Sequence, residues 1–195
     1  ICFSKRCLEI CDRLGAAGYQ NVGMDHYAKP DDEMVKAQQN KTLWRNFQGY
    51  TTHKECDIYA FGASSISQTP DVYMQNEKNL KHYQELVGAG HLPVERGLKL
   101  TRDDHARREA ITRIMCDLEM DTAAFGKEFG IDFDTYFGEG LADLPPLAAD
   151  GLIRLEPNRI VVTDLGRLFL RNIAMCFDAY LKQASTDQPR YSRTA

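Results

Sequence analysis

Apolar positions recur at helical spacing in three places along the chain. Phe3, Cys7, Ile10, Cys11, Leu14 and Ala17 make one face, closed by Gly15 and Gly18. Leu80, Tyr83, Leu86 and Val87 make a second, within an expected helix from Asn76 to Val87 that Gly88 and Gly90 end. Ala106, Ala110, Ile111, Ile114, Met115 and Leu118 make a third, and Thr101-x-x-Asp104 ahead of them resembles a capping box. Between the first two, Tyr19–Met24 and Asp57–Gly62 read as buried strands. Helix followed by strand is the pattern of an α/β layer, with parallel pairing expected. Pro30-Asp31-Asp32-Glu33 opens a short helix that fades near Asn40, since proline and acids suit a first turn.

Val94–Leu100 is extended, and the pattern changes at Thr101. Short helices are expected over 122–129 and 132–149. A hairpin follows, with Leu152–Leu155 and Ile160–Val162 flanking Pro157-Asn158. Thr163 caps a single long helix running through Phe169, Ile173, Phe177 and Leu181. The expected division is therefore an α/β portion over 1–100, a helical, winged-helix-like domain with one hairpin over 101–184, and a polar tail over 185–195.

Composition narrows the function classes. The 195 residues are 43% hydrophobic and 27% charged, which is enough for a real core. The net charge of −4 argues against nucleic acid or an anionic membrane as partner. No apolar run approaches the ~20 residues of a membrane span. The chain starts at Ile1 in mid-pattern and reads as a piece of a longer, cytoplasmic protein. Its six cysteines, Cys2, Cys7, Cys11, Cys56, Cys116 and Cys176, include no Cys-x-x-Cys pair and no disulfide spacing, so reduced thiols are expected.

Candidate chemistry concentrates between Gly23 and Ser67. Phe47-Gln48 sets an aromatic beside an amide that can match a purine edge, though the same pair also reads as a loop anchor and a surface amide. Gly62-Ala63-Ser64-Ser65, past an expected strand end, lets a ligand approach the backbone or simply turns tightly into a helix. Asp25-His26 with Asp31, Asp32 and Glu33 has metal-ligand residue types without metal-ligand spacing, so no metal site is expected and His26 reads as a loop brace. Cys7-x-x-x-Cys11 starts a cluster motif that Asp12, Arg13 and Leu14 fail to continue; packing is the expected role. Arg45, Arg96, Arg107, Arg108, Arg113, Arg167 and Arg171 can clamp carboxylates, with the pairs Arg107/Arg108 and Arg167/Arg171 foremost.

Several words of the chain resemble one family. They are Gly-Met-Asp-His-Tyr-Ala-Lys-Pro (23–30), Arg-Asn-Phe-Gln-Gly-Tyr-Thr-Thr (45–52), Phe-Gly-Ala-Ser-Ser-Ile-Ser (61–67), Asp103-Asp104-x-x-Arg107-Arg108 and Arg171-Asn172-x-x-Met175-Cys176-Phe177-Asp178. They are similar to the C-terminal part of the oxygen-independent coproporphyrinogen III oxidases, radical S-adenosylmethionine enzymes of haem synthesis. The resemblance implies that residues 1–100 finish a partial (β/α) barrel and that the remainder closes over its mouth. It implies oxidative decarboxylation of two propionates of coproporphyrinogen III to vinyls, giving protoporphyrinogen IX, by hydrogen abstraction with a 5′-deoxyadenosyl radical. It implies S-adenosylmethionine and a [4Fe–4S] cluster as cofactors, the cluster ligands lying outside this chain. Phe47, Gln48 and Ile66 then line the S-adenosylmethionine region, Arg107, Arg108, Arg167 and Arg171 are candidate substrate contacts, and the fragment holds no catalytic residue of its own. Implied partners are the N-terminal part of the same polypeptide and an electron donor and acceptor, in an enzyme monomeric when whole; the chain alone is expected to be inactive. Three alternatives stay open, one of them a stand-alone protein–protein interaction domain whose exposed barrel edge would need a partner. A haem-chaperone sibling usually carries His-Asn-x-x-Tyr-Trp where this chain has Arg45-Asn46-Phe47-Gln48-Gly49-Tyr50, which favours the oxidase. A non-enzymatic winged-helix interaction module in the second half lacks a basic recognition helix.

Overall fold

The computed structural model describes residues 5–54 and 56–183. Cys2, the side chain of Cys7 and the tail expected over 185–195 lie outside the described residues. The fold is mixed α/β, with no closed barrel among the described residues.

Helix α1 (Lys5–Ala16) leads into the hairpin β1 (Gln20–Gly23) and β2 (His26–Ala28), then α2 (Glu33–Gln39). Leu8 and Ile10 are exposed on α1, so its apolar stripe is only partly covered. The parallel pairing expected of Tyr19–Met24 is not found: β1 pairs antiparallel with β2, because two residues suffice to turn the chain back. Asp32 caps α2, accepting from the Met34 amide at 2.8 Å, and Pro30 stays outside the helix. A second hairpin joins β3 (Trp44–Asn46) to β4 (Gly49–Thr51).

The next stretch departs most from expectation. Asp57–Gly62 forms no strand; a single bridge ties Ile58 to Gln68. The loop feeds β5 (Ile66–Gln68), which pairs antiparallel with β6 (Val72–Asn76). Asn76 thus ends a strand, and Asn79 caps α3 (Leu80–Gly88) three residues later. Strand β7 (Val94–Lys99) then completes the antiparallel sheet β5–β6–β7.

Thr101 caps α4 (Arg102–Thr112) with a full capping box. The helix runs on as a π-helical turn, Arg113–Asp117, that ends on Leu118 in the left-handed region (φ 61°). Strand β8 (Glu119–Asp121), α5 (Thr122–Phe129), α6 (Phe133–Leu141) and α7 (Leu144–Ala149) follow, then the hairpin β9 (Ile153–Glu156) and β10 (Arg159–Val162), with β10 central between β8 and β9. The expected long terminal helix is broken into a 3₁₀ turn (Gly166–Phe169), α8 (Leu170–Met175) and α9 (Ala179–Gln183). Gly166 lets this turn pack backbone to backbone, since a Cβ there would overlap the Leu152 carbonyl oxygen.

Two apolar clusters hold these elements. One joins α4 to the elements that follow it, with Phe125, Phe137, Ile114, Leu170, Ile173 and Phe177 fully buried. The other joins β1, β2, α2 and β4 to Met115, Cys116 and Ala174. The π turn sits between them: Ile114 and Leu118 belong to the first, Met115 and Cys116 to the second. The sheet β5–β6–β7 and helix α3 contribute to neither, and every residue of β7 is exposed.

Candidate functional site

The capping box fixes the start of α4 and with it residues that line a cleft of about 810 Å³. The Thr101 amide and hydroxyl donate to Asp104 Oδ2 at 2.8 and 2.7 Å, and the Asp104 amide donates to Thr101 Oγ1 at 3.2 Å. One turn on, α4 presents Arg107, Arg108, Ile111 and Thr112 to the cleft. Opposite stand Arg45, Asn46 and Phe47 from the β3–β4 hairpin. Gln68, Tyr73 and Leu98 come from the face of the β5–β6–β7 sheet, and Asp178–Leu181 close one end.

Cross-strand pairs share a sheet face. Ile66 pairs with Gln75, and Gln68 with Tyr73. Ile66 therefore lies on the face that gives Gln68 and Tyr73 to the cleft, one pleat along. Phe47 meets Tyr73 edge-on, ring centroids 5.1 Å apart. The structure thus brings Phe47 and Ile66 to neighbouring parts of one surface. Gln48 is exposed beside them; its amide donates to Asn46 Oδ1 at 2.8 Å, which sets the hairpin turn.

Arg107 and Arg108 are both held in place. Arg107 Nε donates to Asp103 at 2.8 Å and its Nη1 to the Phe177 carbonyl at 3.2 Å, while its guanidinium lies over the rings of Tyr136 and Phe137. Arg108 donates to the Pro70 carbonyl and to Tyr73. Burial pushes the Asp103 carboxyl up, but hydrogen bonds from Arg107 and Tyr136 outweigh it and hold the carboxyl below its ordinary value. Tyr136, by burial and by donating to Asp103, is pushed up to about 12. Arg167 and Arg171 are placed elsewhere. Arg167 donates to the Asn21 carbonyl at 2.8 Å, tying the last helices to β1, and Arg171 is exposed on α8.

The small-residue loop organises itself. The buried Asn76 amide donates to the carbonyls of Ala60 and Gly62 and to Ser65 Oγ, at 3.1–3.3 Å. Tyr83 accepts from the Gly62 amide. The loop therefore leads into a strand, not a helix, and these backbone groups are engaged internally. His26 braces the two hairpins: its Nδ1 lies 3.0 Å from Asp25 and its ring meets Tyr50 edge-on at 5.0 Å. Among the described residues, no three His, Cys, Asp or Glu side chains gather as a metal site. Among the same residues, no helix is long and apolar enough to cross a membrane.

Comparison with known proteins places this geometry. Residues 100–169 match the HemN C-terminal domain. The chain is 48% identical over 93% of its length to the oxygen-independent coproporphyrinogen III oxidase of Pseudomonas aeruginosa, and 46% identical over 92% to that of Escherichia coli. It spans 39% of the length of each. A solved structure of coproporphyrinogen III oxidase (HemN) from Escherichia coli, described as a radical SAM enzyme, superposes with a TM-score of 0.83 and 43% identity. That match covers 91% of this chain and 42% of the other. The chain is thus similar to the C-terminal part of the oxygen-independent coproporphyrinogen III oxidases.

Arg45 stands at the head of the 45–52 word and among the seven candidate arginines, and neither sets it apart. Strand pairing brings Tyr73 to the cleft beside Leu98, and Tyr180 reaches it from α9, beyond the last break in the helix.

Proposed function

We propose that this chain forms one wall of the substrate and S-adenosylmethionine cleft of a coproporphyrinogen dehydrogenase. In that reaction two propionates of coproporphyrinogen III leave as carbon dioxide and become the vinyls of protoporphyrinogen IX. The observation that carries the reading is the cleft itself. Its volume suits a large ligand. Three guanidiniums, Arg45, Arg107 and Arg108, stand around the apolar Leu98, Leu100, Ile111 and Met115. That is the complement of a flat apolar body edged with carboxylates.

When bound, S-adenosylmethionine and a [4Fe–4S] cluster supply the radical chemistry, and the cluster ligands lie outside this chain. The residues here bind and shield. The exposed face of Phe47 offers an adenine platform, beside Gln48 and Ile66. Arg107 and Arg108, held at fixed angles by Asp103 and Tyr73, orient propionates. The apolar lining limits water at the reacting carbon. Residues 1–100 serve as the last part of a partial (β/α) barrel. Residues 101–184 serve as a winged-helix-like cap, with β9–β10 as the wing.

The test is anaerobic turnover by the complete enzyme that carries this chain as its C-terminal part. Protoporphyrin, measured by fluorescence after oxidation, should form from coproporphyrinogen III; none with a loaded cluster rejects the reading. Phe47→Ala should raise KM for S-adenosylmethionine roughly tenfold, the scale of one lost stacking contact. The 195-residue chain alone, reconstituted anaerobically with iron and sulfide, should retain neither.

A further inference from the structure

Arg45 differs from the other two cleft arginines. Arg107 has Asp103, and Arg108 has Tyr73 and the Pro70 carbonyl. Among the described residues the Arg45 side chain has neither a hydrogen bond nor an ion pair, and its Nε is buried with no partner. Its guanidinium carbon lies 5.6 Å from the Tyr50 ring centroid, which supports the cation from below and leaves its hydrogen-bonding edges unmet. The carboxylates nearest the cleft are taken. Asp104 serves Thr101 and Tyr180, and Asp178 accepts from the Tyr180 and Leu181 amides. Buried charges in folded proteins are paired, because an orphaned ion is costly. Arg45 sits on β3 opposite Tyr50, and Tyr50 is pinned to the Met115 carbonyl. The side chain is therefore presented by a rigid hairpin.

We propose that Arg45 is a ligand-binding residue whose counter-ion is a carboxylate of the molecule that occupies the cleft. A guanidinium fork takes a carboxylate through two parallel hydrogen bonds, and a lysine cannot reproduce that geometry. This rests on the reading of the cleft given above. Two ligands of that reading bring carboxylates: the propionates of the tetrapyrrole and the amino-acid end of S-adenosylmethionine.

Trp44, the chain's one tryptophan, neighbours Arg45 and reports binding by fluorescence. Wild type, Arg45→Lys and Arg45→Gln are titrated with coproporphyrin III and with its tetramethyl ester. A second arm uses calorimetry with S-adenosylmethionine and with 5′-methylthioadenosine, which lacks the carboxylate. Arg45→Gln should weaken one of the two acids about ten- to a hundredfold and leave its carboxylate-free partner unchanged. Arg45→Lys should recover only part of the loss. Loss in the porphyrin arm makes the counter-ion a propionate; loss in the other arm makes it the methionine carboxylate. Equal affinity of wild type and Arg45→Gln for both acids, or no binding of either acid to wild type, overturns the proposal. The melting temperatures of all three proteins accompany the titrations, so that an unfolded variant is not read as a binding loss. Turnover by the complete enzyme with Arg45-independent binding would sink this inference and leave the functional reading intact.

Discussion

At the scale of single residues, Asp104 joins fold to cleft. It closes the capping box at Thr101 and accepts from the Tyr180 hydroxyl at 2.8 Å, so one carboxylate starts α4 and anchors α9. Burial raises its pKa, but the hydrogen bonds from Thr101 and Tyr180 win, and the carboxyl ends below its ordinary value. The sign follows from that direction. A carboxyl depressed in the folded state adds stability that is fully present above its unfolded value near 3.9 and is lost as pH falls through the folded one. Asp104→Asn should therefore cost about 1–2 kcal/mol near neutral pH. The difference from wild type should shrink below about pH 4. Urea unfolding at both pH values checks it; a gap that stays constant with pH would show that the charge is not what stabilises the box.

At the scale of elements, the π turn Arg113–Asp117 is the joint of the molecule. It is also where the helix ends, so its last carbonyls have no intrahelical partner. Side chains from the other cluster take them: Tyr50 donates to the Met115 carbonyl at 3.0 Å, and Gln38 Nε2 donates to the Cys116 carbonyl at 3.0 Å and to the Val22 carbonyl at 2.6 Å. Gln38→Leu should cost about 1–3 kcal/mol, because it leaves part-buried acceptors without a donor. Urea midpoints measure it, and a neutral result would mean that water replaces the amide. These long-range bonds also explain which elements the sequence could show. The Thr101 box, α5 to α7 and the β9–β10 hairpin are local, and their caps and periodicity predicted them. Strands β3, β4, β5 and β8 are three residues each, too short for any period. The last helix splits where its first turn packs Gly166 against the Leu152 carbonyl and again at Cys176–Asp178, and no local residue pattern marks either place. Of the cleft, Phe47, Arg107 and Arg108 were legible as residue types in motifs, whereas the unpaired state of Arg45 is a property of its surroundings.

At the scale of the whole molecule, the apolar clusters leave the region of β7 and α3 uncovered. Val94 and Leu98 on β7, Leu80 and Val87 on α3, and Phe61 and Leu92 in the flanking loops are exposed, Phe61 by 90%. Among the described residues strand β7 pairs with β6 on one side only, so its outer edge presents unpaired amides. A bare edge beside exposed apolar side chains is the arrangement that another strand or helix layer covers. The relatives are more than twice the length of the aligned region, so on the proposed reading the rest of the polypeptide supplies that cover. Hydrogen exchange followed by mass spectrometry on peptides spanning 92–100 tests this, with the chain alone compared against the complete enzyme. The outward amides of β7 should exchange fast in the chain alone and slow by at least about tenfold in the complete enzyme, since covered amides exchange only through opening. The β9–β10 hairpin, whose pairing is complete within this chain, serves as the internal reference and should exchange alike in both. Equal exchange of 92–100 in the two proteins would mean that this edge faces solvent in the enzyme as well. The exposed apolar side chains would then need a separate partner, and the placement of residues 1–100 against a barrel would fall.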